Sequence, residues 1–142
     1  MRIGDVLHAK PSHDVITIRP GASVRELIAL LAEHNVGALI VSSDGSTVEG
    51  IVSERDVVRR LHENDAVLDG QVSAIMTAVV ETCDEQILVD DLMKTMTERR
   101  IRHVPVVVDG KLHAIVSIGD VVKNRIDDLQ SERDQLRTYI QT

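Results

Sequence analysis

The apolar positions of this chain alternate between short continuous runs and helical spacing, and the alternation follows the same order twice. Residues 15–18 (Val-Ile-Thr-Ile) are β-branched and precede Pro20-Gly21, which predicts a short strand and a turn. Across residues 23–34, Val24, Leu27, Ile28, Leu30 and Leu31 fall at helical spacing, with Ser23 placed to cap the helix and Glu26 to complete a capping box. Asn35 and Gly37 end that helix. Residues 38–41 then read as a buried strand, Asp44-Gly45 as a hairpin turn and residues 48–52 as the returning strand, after which Ser53 opens a helix through Leu61.

The second half repeats these signals. Residues 79–82 predict a strand and residues 87–99 a helix; residues 104–108, Asp109-Gly110 and residues 112–116 then predict strand, turn and strand, and Ser117 starts the last helix. The likeness extends to individual residues. Gly50-Ile51-Val52-Ser53-Glu54-Arg55-Asp56-Val57-Val58 returns as Ala114-Ile115-Val116-Ser117-Ile118-Gly119-Asp120-Val121-Val122. Val15, Thr17, Val24, Leu27, Glu33 and Val41 return as Val80, Thr82, Val89, Leu92, Glu98 and Val106. The offset changes by one residue within the turn-rich stretch after Val41, where a length difference costs little.

The expected fold class is therefore mixed α/β (α+β): two β-α-β-β-α repeats packed with pseudo-two-fold symmetry, plus a C-terminal helix. The divisions are residues 1–62, a polar link at 63–71, residues 72–126 and a helical extension at 127–142. A half of about 60 residues buries too little surface to be stable alone, so the two should share a core. Past the second repeat, Val122, Ile126, Leu129, Leu136 and Ile140 keep a 4-3 spacing with Arg133 at one step. That stripe fits a helix packing on its own domain or a dimer contact.

Composition narrows the function classes. Hydrophobic content is 43% and charged content 27%, ordinary for a globular protein, but the chain has one Tyr and no Phe or Trp. A planar ligand would have to be held by aliphatic side chains, His or backbone. The net charge of −7 argues against a nucleic-acid partner. No apolar run is long enough to span a bilayer, the first residues lead into no signal-peptide pattern, and the single Cys83 cannot form an internal disulfide. A soluble cytoplasmic protein with no membrane partner is expected.

The chemistry concentrates in Gly50-Ile51-Val52-Ser53-x-x-Asp56 and its echo Ala114-Ile115-Val116-Ser117-x-x-Asp120. Ser-x-x-Asp after an apolar run has the form of a capping box, and one copy would mean no more than that. As a binding element, it delivers Ser to a helix N-terminus, which favours phosphate, and sets Asp to accept bonds from vicinal ribose hydroxyls.

The repeat order and this motif resemble a tandem pair of CBS (cystathionine β-synthase) domains, or Bateman module, over roughly residues 5 to 126. The resemblance implies a regulatory module that binds an adenosine compound (AMP, ADP, ATP, NAD or S-adenosylmethionine) in the cleft between its repeats. It implies that Ser53, Asp56, Ser117 and Asp120 touch ribose and phosphate. Arg102 and His103, from Arg99-Arg100-Ile101-Arg102-His103, and Arg55 would reach the phosphates, which guanidinium forks suit. Arg99 and Arg100 read instead as a solvated helix end. Adenine would lie near Ser12, Val15, Thr77 and Val80; for the two valines plain core is the competing reading. Ala114 replaces the motif glycine in the second copy, a small departure.

The repeats differ where phosphate charge would be met: Gly37-Ala38 stands against Arg102-His103, and Gly119 against Arg55. The other histidines lack metal-ligand spacing, and there is no nucleophile-base pair, P-loop or G-x-G-x-x-G. No catalytic or metal site and no catalytic cofactor is expected, only an adenine nucleotide as regulatory ligand. The resemblance further implies a homodimer and a separate effector protein. The alternative is a ligand-independent structural or dimerisation module.

Overall fold

The computed structural model describes residues 1–9 and 15–141. The chain opens with a short helix, α1 (Ile3–His8), that the apolar pattern did not announce. The first repeat follows as β1 (Thr17–Ile18), α2 (Val24–His34), β2 (Ala38–Val41), β3 (Gly50–Ser53) and α3 (Glu54–Glu63). The second supplies α4 (Val89–Arg99), β4 (His103–Val108), β5 (Lys111–Ser117) and α5 (Ile118–Gln141). In the first sheet, β1 runs parallel to β2, and β2 pairs antiparallel with β3. In the second, β4 and β5 form an antiparallel hairpin turned by Asp109 and Gly110, both at positive φ.

Local signals set most of these boundaries. Ser23 Oγ accepts the Glu26 N–H at 3.1 Å and starts α2, and Asn35 ends it in the left-handed conformation. α4 starts at Val89 rather than Ile87 because Asp84 Oδ1 accepts the N–H groups of Gln86 and Ile87, at 2.8 and 3.1 Å, in a turn that comes first. In the link, Asn64 caps a 3-10 turn over Asp65–Asp69, and Val67 and Leu68 pack on the first core.

One expectation is corrected. Residues 79–82 form no strand, and Val79 is 93% exposed. The chain meets β4 only at Cys83, whose N–H donates to the Pro105 carbonyl (3.0 Å) and whose carbonyl accepts from Val107 N–H (2.8 Å). β-branched composition makes a strand only where a neighbouring edge supplies the ladder. Of the two readings of the last helix, its start packs on the second core through Ile118 and Val121, while the stripe from Val122 to Ile140 is exposed.

The core is built by exchange. Residues Ile3, Val6 and Leu7 of α1 are buried not in the first repeat but in the second, with Val89, Leu92, Met96, Val104, Val106 and Val116. Backbone bonds fix this docking: Ile3 N–H to the Ile87 carbonyl, Gly4 N–H to Glu85 and Val89 N–H to Met1, at 2.9 to 3.0 Å. Reciprocally, Val72 and Ile75 at the start of the second repeat are buried with Ile18, Val24, Leu27, Leu39 and Val52 of the first. Val72 N–H donates to Ala22, Ser73 N–H to Pro20, and Thr77 exchanges both backbone bonds with Ile51.

Ile3→Ala removes a fully buried side chain from a core it reaches only through this exchange. It should lower unfolding free energy by about 2–5 kcal/mol in urea denaturation.

Candidate functional site

β3 runs into α3, and β5 into α5, with no intervening loop, so Ser53 and Ser117 each end a strand and precede a helix. Both Ser-x-x-Asp motifs form complete capping boxes. Asp56 Oδ2 accepts from the Ser53 N–H at 2.8 Å and from its hydroxyl at 3.1 Å, while Ser53 Oγ accepts the Asp56 N–H at 3.3 Å. In the second copy, Asp120 Oδ2 accepts from Ser117 N–H at 3.0 Å and Ser117 Oγ accepts Asp120 N–H at 3.1 Å. The first amide of each helix is engaged too: Glu54 N–H donates to the Gly37 carbonyl (3.0 Å) and Ile118 N–H to the Arg102 carbonyl (2.8 Å). Two of the first three helix amides are therefore occupied within the fold. That leaves an incoming anion fewer backbone donors than an uncapped N-terminus would offer.

The antiparallel registers align the remaining candidates. Ala38 pairs with Ser53, and His103 with Ser117, so the start of each inner strand lies beside the motif serine of its own repeat. The repeats meet here. A Cβ added to Gly37 would stand 3.6 Å from His103 Cε1 and 3.7 Å from Nε2, which places the imidazole of the second repeat against the backbone of the first. Burial lowers the His103 pKa below its ordinary value; Arg102 adds to this, and Asp120 and Glu54 oppose it. The ring is thus neutral near pH 7. Glu54, from the first repeat, was not singled out in the sequence, although it stands inside the motif next to Ser53.

Arg55 and Arg102 are exposed, on the first turn of α3 and just ahead of β4. Arg99 pairs with Glu81 at 3.3 Å and Arg100 is the left-handed C-cap of α4, in keeping with their reading as a helix end. Of the adenine candidates, Ser12 lies outside the described residues. Val15 is half-buried and packs on the second core, Val80 is half-buried, and Thr77 is exposed. Thr77 sits on β3 with its N–H and carbonyl both taken by Ile51, at 2.8 and 3.0 Å, so its hydroxyl is the group it could offer a ligand. The motif glycine has a packing cause: a Cβ on Gly50 would lie 2.6 Å from Met76 Sδ and 3.0 Å from the Thr77 carbonyl oxygen. Open depressions of about 440 Å³ beside Arg19, Gly21 and Glu26, and about 580 Å³ along α5, are lined by none of these candidates.

Since the folded pKa of His103 lies below its unfolded value, the unfolded chain binds more protons between the two. The stability this histidine contributes is present above the ordinary value of about 6.5 and is lost as pH falls through it toward the folded value. His103→Gln should flatten that loss, seen as a smaller drop in urea midpoint than wild type shows between pH 7.5 and pH 5.5.

Comparison with known proteins places this geometry. The family model of the CBS domain matches twice, over residues 3–63 and 72–127. The CBS-domain-containing protein ATU1752 from Agrobacterium tumefaciens is 42% identical, with a TM-score of 0.84 covering 88% of this chain and 99% of that one. A CBS-domain protein from Burkholderia ambifaria is 37% identical with a TM-score of 0.85, covering 90% and 96%. The CBS domain pair of protein MJ0100 is 27% identical with a TM-score of 0.77, covering 87% and 98%. That pair was solved with 5′-methylthioadenosine and S-adenosyl-L-methionine.

Proposed function

The chain belongs to the CBS-domain family, carrying the domain twice, and from that premise we propose that it is a regulatory rather than catalytic protein. It binds an adenosine-containing ligand between its repeats and passes the bound state to a separate effector protein. One observation carries the reading: both Ser-x-x-Asp pairs sit at strand-to-helix junctions beside the contact of His103 with Gly37, where the two repeats meet. The adenosine ligands of the MJ0100 pair, of the same fold, support it. Asp56 and Asp120 accept the ribose hydroxyls, and Arg55, Arg102 and His103 meet the phosphates. Gly37, Ala38 and Gly119 offer no such charge, so the two halves of the cleft differ in their preference for phosphate. Ligand acts by binding one arrangement of the repeats better than another.

The protein works as a homodimer in the cytoplasm. Ile28, Val58 and Val122 are exposed apolar residues on α2, α3 and α5, and several more lie along α5, which supports self-association through helix surfaces. No described helix is long and apolar enough to cross a membrane. Burial, then Asp84, pushes the Cys83 thiol up to about 11, as suits an idle thiol. A second reading, a ligand-independent structural module, is favoured by the capping boxes, which are complete without any ligand.

Thermal unfolding with AMP, ADP, ATP, NAD and S-adenosylmethionine separates the two. A ligand at 100 times its dissociation constant should stabilise the protein by about 2.7 kcal/mol, and no shift with any of the five would leave the structural module. Asp56→Asn and Asp120→Asn should each weaken binding tenfold or more by calorimetry. Any weakening of the reciprocal capping bond at N3 is read separately by unfolding without ligand. Wild-type binding to both variants would reduce the motif to a helix cap.

Phosphate beside His103 would raise its pKa on binding, so protons are taken up with the ligand. His103 should then add to AMP affinity as pH falls from 7.5 to 6, and His103→Gln should lose that contribution and keep the one from the phosphate's own ionisation at about pH 6.

A further inference from the structure

We propose that the C-terminal half of α5 forms a parallel, in-register, two-stranded coiled coil with a second copy of this chain. The inference rests on the homodimer reading above and assigns the contact to one surface. α5 runs from Ile118 to Gln141, yet the last of its residues with any substantial burial is Asp128, and residues 129–141 are all exposed. At 1.5 Å per residue this stretch projects about 20 Å from the body of the protein. It continues a helix nucleated on the body of the protein, but it has no tertiary packing of its own to add to its propensity.

The exposed side chains identify that partner. Val122, Ile126, Leu129, Leu136 and Ile140 are between 40% and 79% exposed and recur at 4-3 spacing, the period of a coiled-coil seam. This spacing sets Ile126, Arg133 and Ile140 at one core position of the heptad and Val122, Leu129 and Leu136 at the other. β-branched residues at the first and leucine at the second is the pattern of parallel two-stranded coils, and a single polar residue at the first fixes register and strand number.

The flanking charges make the same choice. In a parallel pair, Glu132 of one copy faces Arg137 of the other and lies beside its Arg133, which offsets the meeting of the two Arg133 side chains. An antiparallel pair in register would oppose Glu132 to Glu132 and Lys123 to Arg137. Opposite charges thus meet only when the second helix is parallel.

Sedimentation equilibrium of the full chain tests the assignment. Leu129→Asp with Leu136→Asp should weaken self-association at least tenfold, and Arg133→Ile should tighten it. Glu132→Arg should weaken it about fivefold and added Arg137→Glu should restore it, a rescue that works only between chains because the two residues are five apart on one helix. With Cys83→Ser, Leu136→Cys should oxidise to a symmetric cross-linked dimer. A dimer indifferent to the Asp variants overturns the coiled coil and leaves the homodimer standing; a monomeric wild type overturns both. Cross-linking of Ile126→Cys to Leu136→Cys, but not of Leu136→Cys to itself, overturns the parallel orientation.

Discussion

The burial of Ile3, Val6 and Leu7 among Val89, Leu92 and Met96, answered by the burial of Val72 and Ile75 among Val24, Leu27 and Val52, is the contact on which the rest of the molecule depends. Each repeat lends the segment that precedes it in sequence to the core of the other. Apolar area is thereby removed from water across the repeat boundary, and neither half can retain its own core if the other unfolds. The exchange also fixes the candidate site. Thr77, entering from the second repeat, holds β3 of the first by a pair of backbone bonds with Ile51, and Met76 beside it occupies the space that Gly50 leaves open. The strand that delivers Ser53 to its helix is therefore positioned by the opposite repeat.

At that site, folding and recognition draw on the same atoms. Ser53 and Asp56 already satisfy one another and the amides of α3, as Ser117 and Asp120 do at α5. On the function proposed above, a ligand would use what the boxes leave over: the outward side of the carboxylates, the side chains of Arg55 and Arg102, and an imidazole kept neutral mainly by burial. The capping boxes hold both carboxylates in place without any ligand, so no binding energy would be spent ordering them.

The elements set by local chemistry were legible in the sequence. Ser23 and Asn35 bound α2, Asp109-Gly110 turns the second hairpin, and the Ser-x-x-Asp motifs mark both strand-to-helix junctions. What escaped depends on partners distant in sequence. α1 has only three core residues, and their neighbours begin some eighty positions away at Glu85–Val89, so no local period reveals it. The strand read at residues 79–82 has strand composition, but its only ladder is one bridge at Cys83. The glycine at position 50 was visible as part of a motif, whereas its cause, Met76, could be seen only once the exchanged segment was in place.

The inequality of the repeats is steric as well as electrostatic. At the contact between them, the His103 ring of the second repeat lies against Gly37 of the first. Gly37 carries hydrogen where the second repeat carries Arg102. Alanine there would touch the ring at ordinary contact distance, while a longer side chain would have to share the volume the imidazole fills. A duplicated chain that kept the basic pair in both copies would crowd two cationic arms and two rings around one contact. Keeping it in one copy relieves the crowding and the like-charge repulsion together, and the binding cleft proposed above would have a charged side and a plain one for that reason.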